Sequence, residues 1–263
     1  MIGGDALTAQ PELGCNSPAI VEAEYLEIVR DAITNHPRSQ QKTIGPSEIG
    51  TPCTRALIHK LNGDPEPPDD PWLPTIGTAV HTWLADTFEA HNAAQGHGPK
   101  DPARRYLVEQ RVSVGEINGI EITGSADLFD QYSGTVVDHK VIGETPIKEY
   151  RRKGPRPEYR TQFHLYGRGF ARAGYRVNTV MMFGLPRNNI SLNGRFVWSE
   201  PYDETIAVAA LDRCRGLVKL LQAVGVASAL AMYPACADTR YCPWCKEPWA
   251  PKPIDPTNPF GSK

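Results

Sequence analysis

The stretch from Gly124 to Ile142 leaves this chain little choice of fold. A mixed apolar segment carrying Asp127 runs into the polar turn Gln131-Tyr132-Ser133-Gly134. Thr135 to Ile142 follows, apolar except for Asp138, His139 and Lys140. The pattern predicts two short strands joined as a hairpin. Side chains alternate across a strand, so Asp138 and Lys140 project to one face and His139 to the other. Two carboxylates and an ammonium thus converge beside a mostly apolar sheet.

That grouping suits metal-assisted hydrolysis of a phosphodiester. Paired carboxylates hold a hard cation such as Mg2+ or Mn2+ through oxygen. The cation polarises a phosphate and acidifies a bound water. A lysine beside it orients that water and offsets developing negative charge. The competing reading of an Asp-x-Lys triplet is a hairpin with a surface salt bridge, so the rest of the chain has to decide.

The 263 residues allow one large domain or two small ones, and 40% hydrophobic with 22% charged residues is ordinary for a soluble globular chain. The formal net charge of −2 excludes a globally basic nucleic-acid binder. Locally the balance differs: Lys140 to Arg176 holds ten Lys or Arg against three Glu, or +7. The first residues show no basic or strongly apolar leader, and Ala223 to Tyr233 is too short to span a bilayer. The expectation is a cytoplasmic protein whose six cysteines are core residues or metal ligands.

Residues 1–17 read as a flexible tail. Ser17-Pro18 starts a helix whose stripe of Val21, Tyr25, Ile28 and Ile33 predicts a packed surface helix ending before Pro37. Thr51-Pro52 opens a short helix with Cys53 in its first turn. Ile76 to His91 is amphipathic, with Ile76, Val80, Trp83, Leu84 and Phe88 as the stripe and His81 at its border. Tyr106 to Val114 alternates as a strand with Glu109 on the opposite face, and Asn118-Gly119 turns it into the next strand. The middle of the chain is therefore an antiparallel meander. Ile147 to Tyr159, rich in Lys, Arg and Pro, reads as a loop. Glu158 to Tyr175 is helical, with Gln162 and Tyr166 on one face and Arg168, Arg172 and Arg176 as a second row. Strands over Val177–Gly184 and Arg195–Trp198 precede a long helix from Asp203 to about Ala231, in which Cys214 is a core residue.

The last ordered feature is Cys236-x5-Cys242-x2-Cys245. Three clustered cysteines in an intracellular chain point to a metal. A zinc site prefers two cysteine pairs, or one pair with histidine. Here a fourth ligand has to come from elsewhere, as it does for cubane iron–sulfur clusters, and Cys53 and Cys15 are the candidates. Residues 247–263 form a Pro-rich tail.

In this order Gly77-x3-His81, Gly124-x2-Asp127, Asp138-x-Lys140 and Gln162-x3-Tyr166 resemble the motifs of RecB-like nucleases in the PD-(D/E)XK superfamily. One cysteine before them and three after resembles the subgroup with a four-iron cluster, which includes the CRISPR-associated RecB-like exonucleases and the AddB nuclease domain. The resemblance runs from about Ser47 to Cys245. Asp138 stands where many relatives have Glu. The resemblance implies an α/β fold with a restriction-endonuclease-like core: a mixed central sheet flanked by helices over residues 18–246, with an iron–sulfur clasp joining the N- and C-terminal segments. It implies that His81, Asp127, Asp138 and the His139 carbonyl bind catalytic Mg2+ or Mn2+, and that Lys140 assists the attacking water. Gln162 and Tyr166 would contact DNA or steady the site. Cys53, Cys236, Cys242 and Cys245 would hold a 4Fe-4S cluster, and Glu109 matches an acid found on the preceding strand of relatives. The expected activity is a DNA exonuclease preferring single strands or ends, with Arg151, Arg152, Lys153, Arg160 and Arg168 tracking phosphates. Its setting would be recombination, repair, phage DNA processing or CRISPR adaptation, with partner proteins and an oligomer both open. The rival readings are an inactive DNA-binding module on the same fold and a zinc-stabilised interaction protein.

Overall fold

Alternating apolar residues in the middle of the chain and 3.6-residue periodicity on either side build a sheet with helices around it. The computed structural model describes residues 18–35, 43–65, 72–236 and 242–246. The chain divides into two units, 1–41 with 70–72, and 42–69 with 73–263. The described part of the first unit is mainly α1, Pro18–Thr34. Ile33 of its stripe is buried, and Val21, Tyr25 and Ile28 are exposed. The proposed tails at 1–17 and 247–263, and Cys15, lie outside the described residues.

The second unit carries the sheet. Its strands are β1 (Tyr106–Ile117), β2 (Ile120–Asp130), β3 (Thr135–Ile142), β4 (Thr179–Pro186) and β5 (Phe196–Pro201). They lie side by side in chain order. β1–β2 and β2–β3 are antiparallel, as the meander predicts, and β4–β5 is antiparallel too. β3 and β4 are parallel, with Asp138 beside Met182 and Lys140 beside Gly184. A parallel neighbour requires a long crossover. Here it consists of α5 (Glu144–Lys153) and α6 (Pro157–Arg172).

α5 corrects the loop expected at Ile147–Tyr159. Composition hid it, but Ile147 and Tyr150, three apart, bury one face. Lys148 pairs with Glu144 and Lys153 with Glu149 on the exposed side. α6 lays Phe163 and Phe170 on the sheet, and Phe170 stacks on Phe129 of β2 at 4.3 Å between centroids. The core continues through Val136, Val180 and Met182, all fully buried.

α2 (Pro46–Ile49), α3 (Thr54–Leu61) and α4 (Trp72–Ala94) precede the sheet. α7 (Glu204–Met232) follows it and buries Ala207, Leu211, Cys214 and Leu217. By length and composition alone α7 would pass as a membrane-crossing helix. In this fold those apolar residues belong to the central core instead. α7 is also not continuous: Gly225 has φ 75° and ψ 163°, a conformation only glycine adopts without strain, and the helix kinks there.

The β2–β3 turn is fixed by Asp130. Its carboxylate accepts from Arg105 Nε at 3.0 Å and Nη2 at 2.9 Å, from Tyr132 N at 3.1 Å and from Ser133 Oγ at 2.9 Å. Burial works against the charge, but Arg105, Ser133 and the Tyr132 N–H outweigh it and hold the carboxyl below its ordinary range. A folded-state pKa below the unfolded one stabilises above the unfolded value of about 3.9 and is lost as pH falls through the folded value. Asp130→Ala should therefore cost about 2 kcal/mol at pH 7, discounted for the half-exposed Arg105. Urea denaturation at pH 7 and pH 3 checks this: the gap between variant and wild type should narrow at pH 3.

Candidate active site

The ladder between β2 and β3 carries only three pairs, Leu128↔Val137, Phe129↔Val136 and Asp130↔Thr135. It ends where Asp127 would meet Asp138. On its other side Asp127 also lacks a ladder partner: Val108↔Leu128 and Gln110↔Ala126 pair, and Glu109 between them does not. Glu109 adopts φ 46°, a left-handed conformation that is rare for a residue with a side chain. Regular pairing is interrupted on both sides of Asp127, and polar groups gather there in an otherwise apolar sheet.

Four groups surround Asp127. His81 Nδ1 lies 3.3 Å from Oδ1. The His139 N–H donates to Oδ2 at 2.7 Å. The Glu109 carboxylate stands close enough that ligand atoms of His81, Glu109 and Asp127 all fall within 4.8 Å of one another. Asp138 completes the group on the adjoining strand. Its side chain is 1% exposed, and Lys140 Nζ lies 2.5 Å from its Oδ1.

Lys140 is largely enclosed. Its Nζ donates to Gln162 Oε1 at 3.1 Å. It sits 5.0 Å from the centre of the Tyr159 ring and 5.9 Å from that of Phe163. Tyr159 is a contact the sequence reading missed; it lies three residues before Gln162, one helical turn, and that spacing was its signal. Gln162 and Tyr166 share the buried face of α6, as expected. Gln162 reaches Lys140. Tyr166 belongs to the apolar core, and its ring lies so close to Gly124 that a Cβ there would stand 3.1 Å from it and 2.8 Å from Pro46. Gly124 is thus needed for close packing behind the site.

His81 corrects the helix phase expected for α4. Leu84 is buried with His81 and Phe88 half-buried on its side of the helix, whereas Trp83 is 62% exposed. His139 points away from Asp138 and Lys140, as alternation requires, and its ring faces Phe88 and His81 at 6.0 Å each.

Burial and charge divide the titrations. Burial pushes the Asp138 carboxyl up to about 6; Lys140 opposes this and Asp127 adds to it. Burial also acts on Asp127, but His81 and Lys140 outweigh it and keep that carboxyl below the usual range. His81 is raised because its contact with Asp127 overcomes its burial. Lys140 is raised because Asp138 and Asp127 overcome its burial. His139 is lowered to about 4 by burial.

The basic residues expected to meet phosphates are mostly occupied. Arg160 Nε pairs with Glu200 at 2.5 Å, and Arg168 pairs with Glu204. Arg151 donates to the Gly194 and Arg195 carbonyls, and Lys153 lies 3.6 Å from Glu149. Among the described residues Arg152 makes no ion pair. Arg176 falls beyond α6 and donates to Asn178, so the expected three-arginine row does not form. Glu200 and Glu204 lie outside the 140–176 window, which is why its +7 overstates free positive charge.

The second cluster lies at the start of α3. Sγ atoms of Cys53, Cys236, Cys242 and Cys245 all fall within 4.8 Å of one another. Cys53 is the N-cap of α3 and its Sγ accepts from Ala56 N at 3.4 Å. It lies 3.6 Å from Cys245 Sγ, which also accepts from Cys236 N. Four soft donors with an N–H···S bond fit a thiophilic metal ion or an iron–sulfur cluster. Two arginines tie the surrounding helices together. Arg55 of α3 donates to the Leu230 and Tyr233 carbonyls. Arg213 of α7 donates to the Thr51 carbonyl and to Thr54 Oγ1. Cys214, fully buried in the core, takes no part, and burial raises its thiol to about 11.

No protein-family model and no curated protein matches the chain. Two solved structures show a distant likeness. One is an alkaline exonuclease (LHK-Exo) from Laribacter hongkongensis, at 13% identity, covering 74% of this chain and 93% of that one, with a TM-score of 0.45. The other is LHK-Exo in complex with dAMP, at 15% identity, covering 73% and 91%, with a TM-score of 0.44. Neither likeness is close enough to assign a family.

Proposed function

We propose that this chain is a divalent-metal-dependent deoxyribonuclease whose active site is the recess around Asp127. One observation carries the reading. Asp127 and Asp138 meet where the β2–β3 ladder opens, His81 and Glu109 flank Asp127, and Lys140 is held against Asp138. Both Asp138 oxygens are buried; Oδ1 faces the Lys140 ammonium at 2.5 Å, and Oδ2 has no donor among the described residues. Two adjacent buried carboxylates, each with acceptor capacity left over, suit a cation. The resemblance to RecB-like nucleases, made on the same residues, supports the same reading.

His81, Asp127, Asp138 and the His139 carbonyl would hold Mg2+ or Mn2+, with Glu109 as an added oxygen donor. The bound ion supplies Lewis acidity toward the phosphate and a more acidic water. The chain's own residues do the rest. Lys140, fixed by Asp138, Gln162 and Tyr159, offers a positioned ammonium to the attacking oxygen and to charge building on phosphorus. Gln162 sets the direction of that ammonium. Arg151, Arg152 and Lys153 of α5 and Arg160 of α6 would meet DNA phosphates, which would compete with the acid and carbonyl partners that Arg151, Lys153 and Arg160 now have. Exonuclease action on single strands or ends is the form we favour. DNA labelled at either end, single- or double-stranded, incubated with Mg2+ or Mn2+, tests this: successive shortening from an end is expected, and a product pattern of internal cuts only would overturn the exonuclease form.

Protons compete with the ion at this site. Asp138 at about 6 and a raised His81 both take up protons as pH falls below neutral, and neither binds a cation in its protonated form. Mn2+ should therefore raise the melting temperature more at pH 7.5 than at pH 5. Asp138→Asn should shrink that difference. Equal Mn2+ shifts at both pH values would remove Asp138 and His81 from the ligand set.

For the cysteine cluster we favour a 4Fe-4S group, from the resemblance. One observation favours a single zinc-type ion instead: 3.6 Å between Cys53 and Cys245 Sγ is near the ~3.8 Å between neighbouring thiolates of a tetrahedral Zn–S4 site with bonds of about 2.3 Å. Iron and acid-labile sulfide in anaerobically purified protein decide between them.

A further inference from the structure

The four cysteines are brought together by a contact that metal binding does not itself require. α8, Pro243–Lys246, spans four residues and carries Cys245, with Cys242 just before it. A helix this short does not hold its shape alone. Trp244, between the two cysteines, is 1% exposed. Its ring lies face to face with the His59 imidazole of α3, centroids 4.5 Å apart and planes 9° from parallel. His59 is fully buried. Its Nδ1 lies 2.7 Å from Asp64 Oδ2, and Asp64 Oδ1 accepts from Asn62 Nδ2 at 2.7 Å. A carboxylate only accepts, so Nδ1 carries the proton and the ring is locked in its plane. His59 belongs to the helix whose N-cap is Cys53. One rigid element therefore presents both the first cysteine and the surface on which the last two dock.

We propose that Asp64, His59 and Trp244 form a positioning stack that docks the Cys242–Cys245 pair onto Cys53. It rests on the reading of the four cysteines as a site for a thiophilic metal ion or iron–sulfur cluster. His59 and Asp64 do not ligate; they act through Trp244. The stack sets the ligand spacing before the metal enters, so its loss weakens uptake without removing a donor. Partners at this remove typically govern 10–100-fold in metal affinity.

The test compares full-length wild type with His59→Leu, which keeps buried volume but no flat ring, and with His59→Phe/Asp64→Asn. The double variant restores a ring and removes the charge the imidazole had satisfied. Two readouts are taken. The first is titration of the metal-free protein with Co2+ alone, followed by thiolate charge-transfer absorption. The second is metal-free: oxidation by diamide and mass-spectrometric yield of the Cys53–Cys245 crosslink. Wild type should bind Co2+ through thiolates and crosslink readily. His59→Leu should lose roughly 10–100-fold in Co2+ affinity and most of the crosslink, and the double variant should recover both. If His59→Leu does not fold, Trp244→Leu removes the stack from the other side and should give the same losses. Wild-type affinity and crosslink yield in the ring-less variant would overturn the proposal. If wild type binds no Co2+ through thiolates, the metal-site reading fails, and the crosslink comparison alone decides whether the stack docks the pair.

Discussion

Asp138→Ala should abolish metal-dependent cleavage of DNA while the protein stays folded. The carboxylate is buried at 1% exposure, holds Lys140 at 2.5 Å through Oδ1, and leaves Oδ2 without a donor among the described residues. On the proposed mechanism its removal takes away a metal ligand and releases the Lys140 ammonium from its position. If the ion's polarisation contributes about 4 kcal/mol in the transition state, the loss is roughly a thousandfold in rate. Breaking a buried ion pair ordinarily destabilises. Here the Lys140 charge keeps Gln162 Oε1, the Tyr159 ring and the nearby Asp127 carboxylate, so the fold should survive with a lowered melting temperature. Asp138→Asn, equal in shape, should lose as much rate with a smaller structural change. Single-turnover rates beside circular dichroism check both. Near wild-type turnover in folded Asp138→Ala would remove this recess from the chemistry.

Cys53→Ser should release the bound metal or cluster and destabilise the whole second unit. Cys53 and Cys245 lie 192 residues apart in the chain. On the chain-entropy scale for a covalent link, closing a loop of that length is worth about 5 kcal/mol. A metal clasp is not a disulfide, so this sets only the scale, but a typical domain has about 5–15 kcal/mol in total. The variant should lose its metal content and melt well below wild type, with activity lost through unfolding. Cys214→Ser should keep its metal, since Cys214 lies in the central core away from the cluster. A metal-free wild type that melts with the loaded form would contradict the clasp.

The strands were the most legible part of the chain. β3 runs over the predicted Thr135–Ile142, and period-two alternation placed Asp138 and Lys140 together with His139 opposed. Alternation could not show that the ladder opens at Asp127. It also could not show that Glu109, with its left-handed backbone, turns toward the same recess. α5 escaped because Lys, Arg and Pro outweigh its two buried residues in composition. His81 was misphased because Trp83 is the more apolar residue, yet a tryptophan at that angle faces outward. The choice of Cys53 depends on 192 residues of intervening fold that no local pattern encodes.

On the proposed function, the site around Asp127 hydrolyses DNA with a divalent ion. The most direct measurement is Mn2+ titration of metal-free full-length protein, with bound ion read by electron paramagnetic resonance and nucleotide release from linear DNA read in the same samples. Binding and cleavage should rise together in wild type, and both should collapse in Asp127→Asn. Cleavage that persists in excess EDTA, or a site saturated with Mn2+ that leaves DNA intact, would contradict the account.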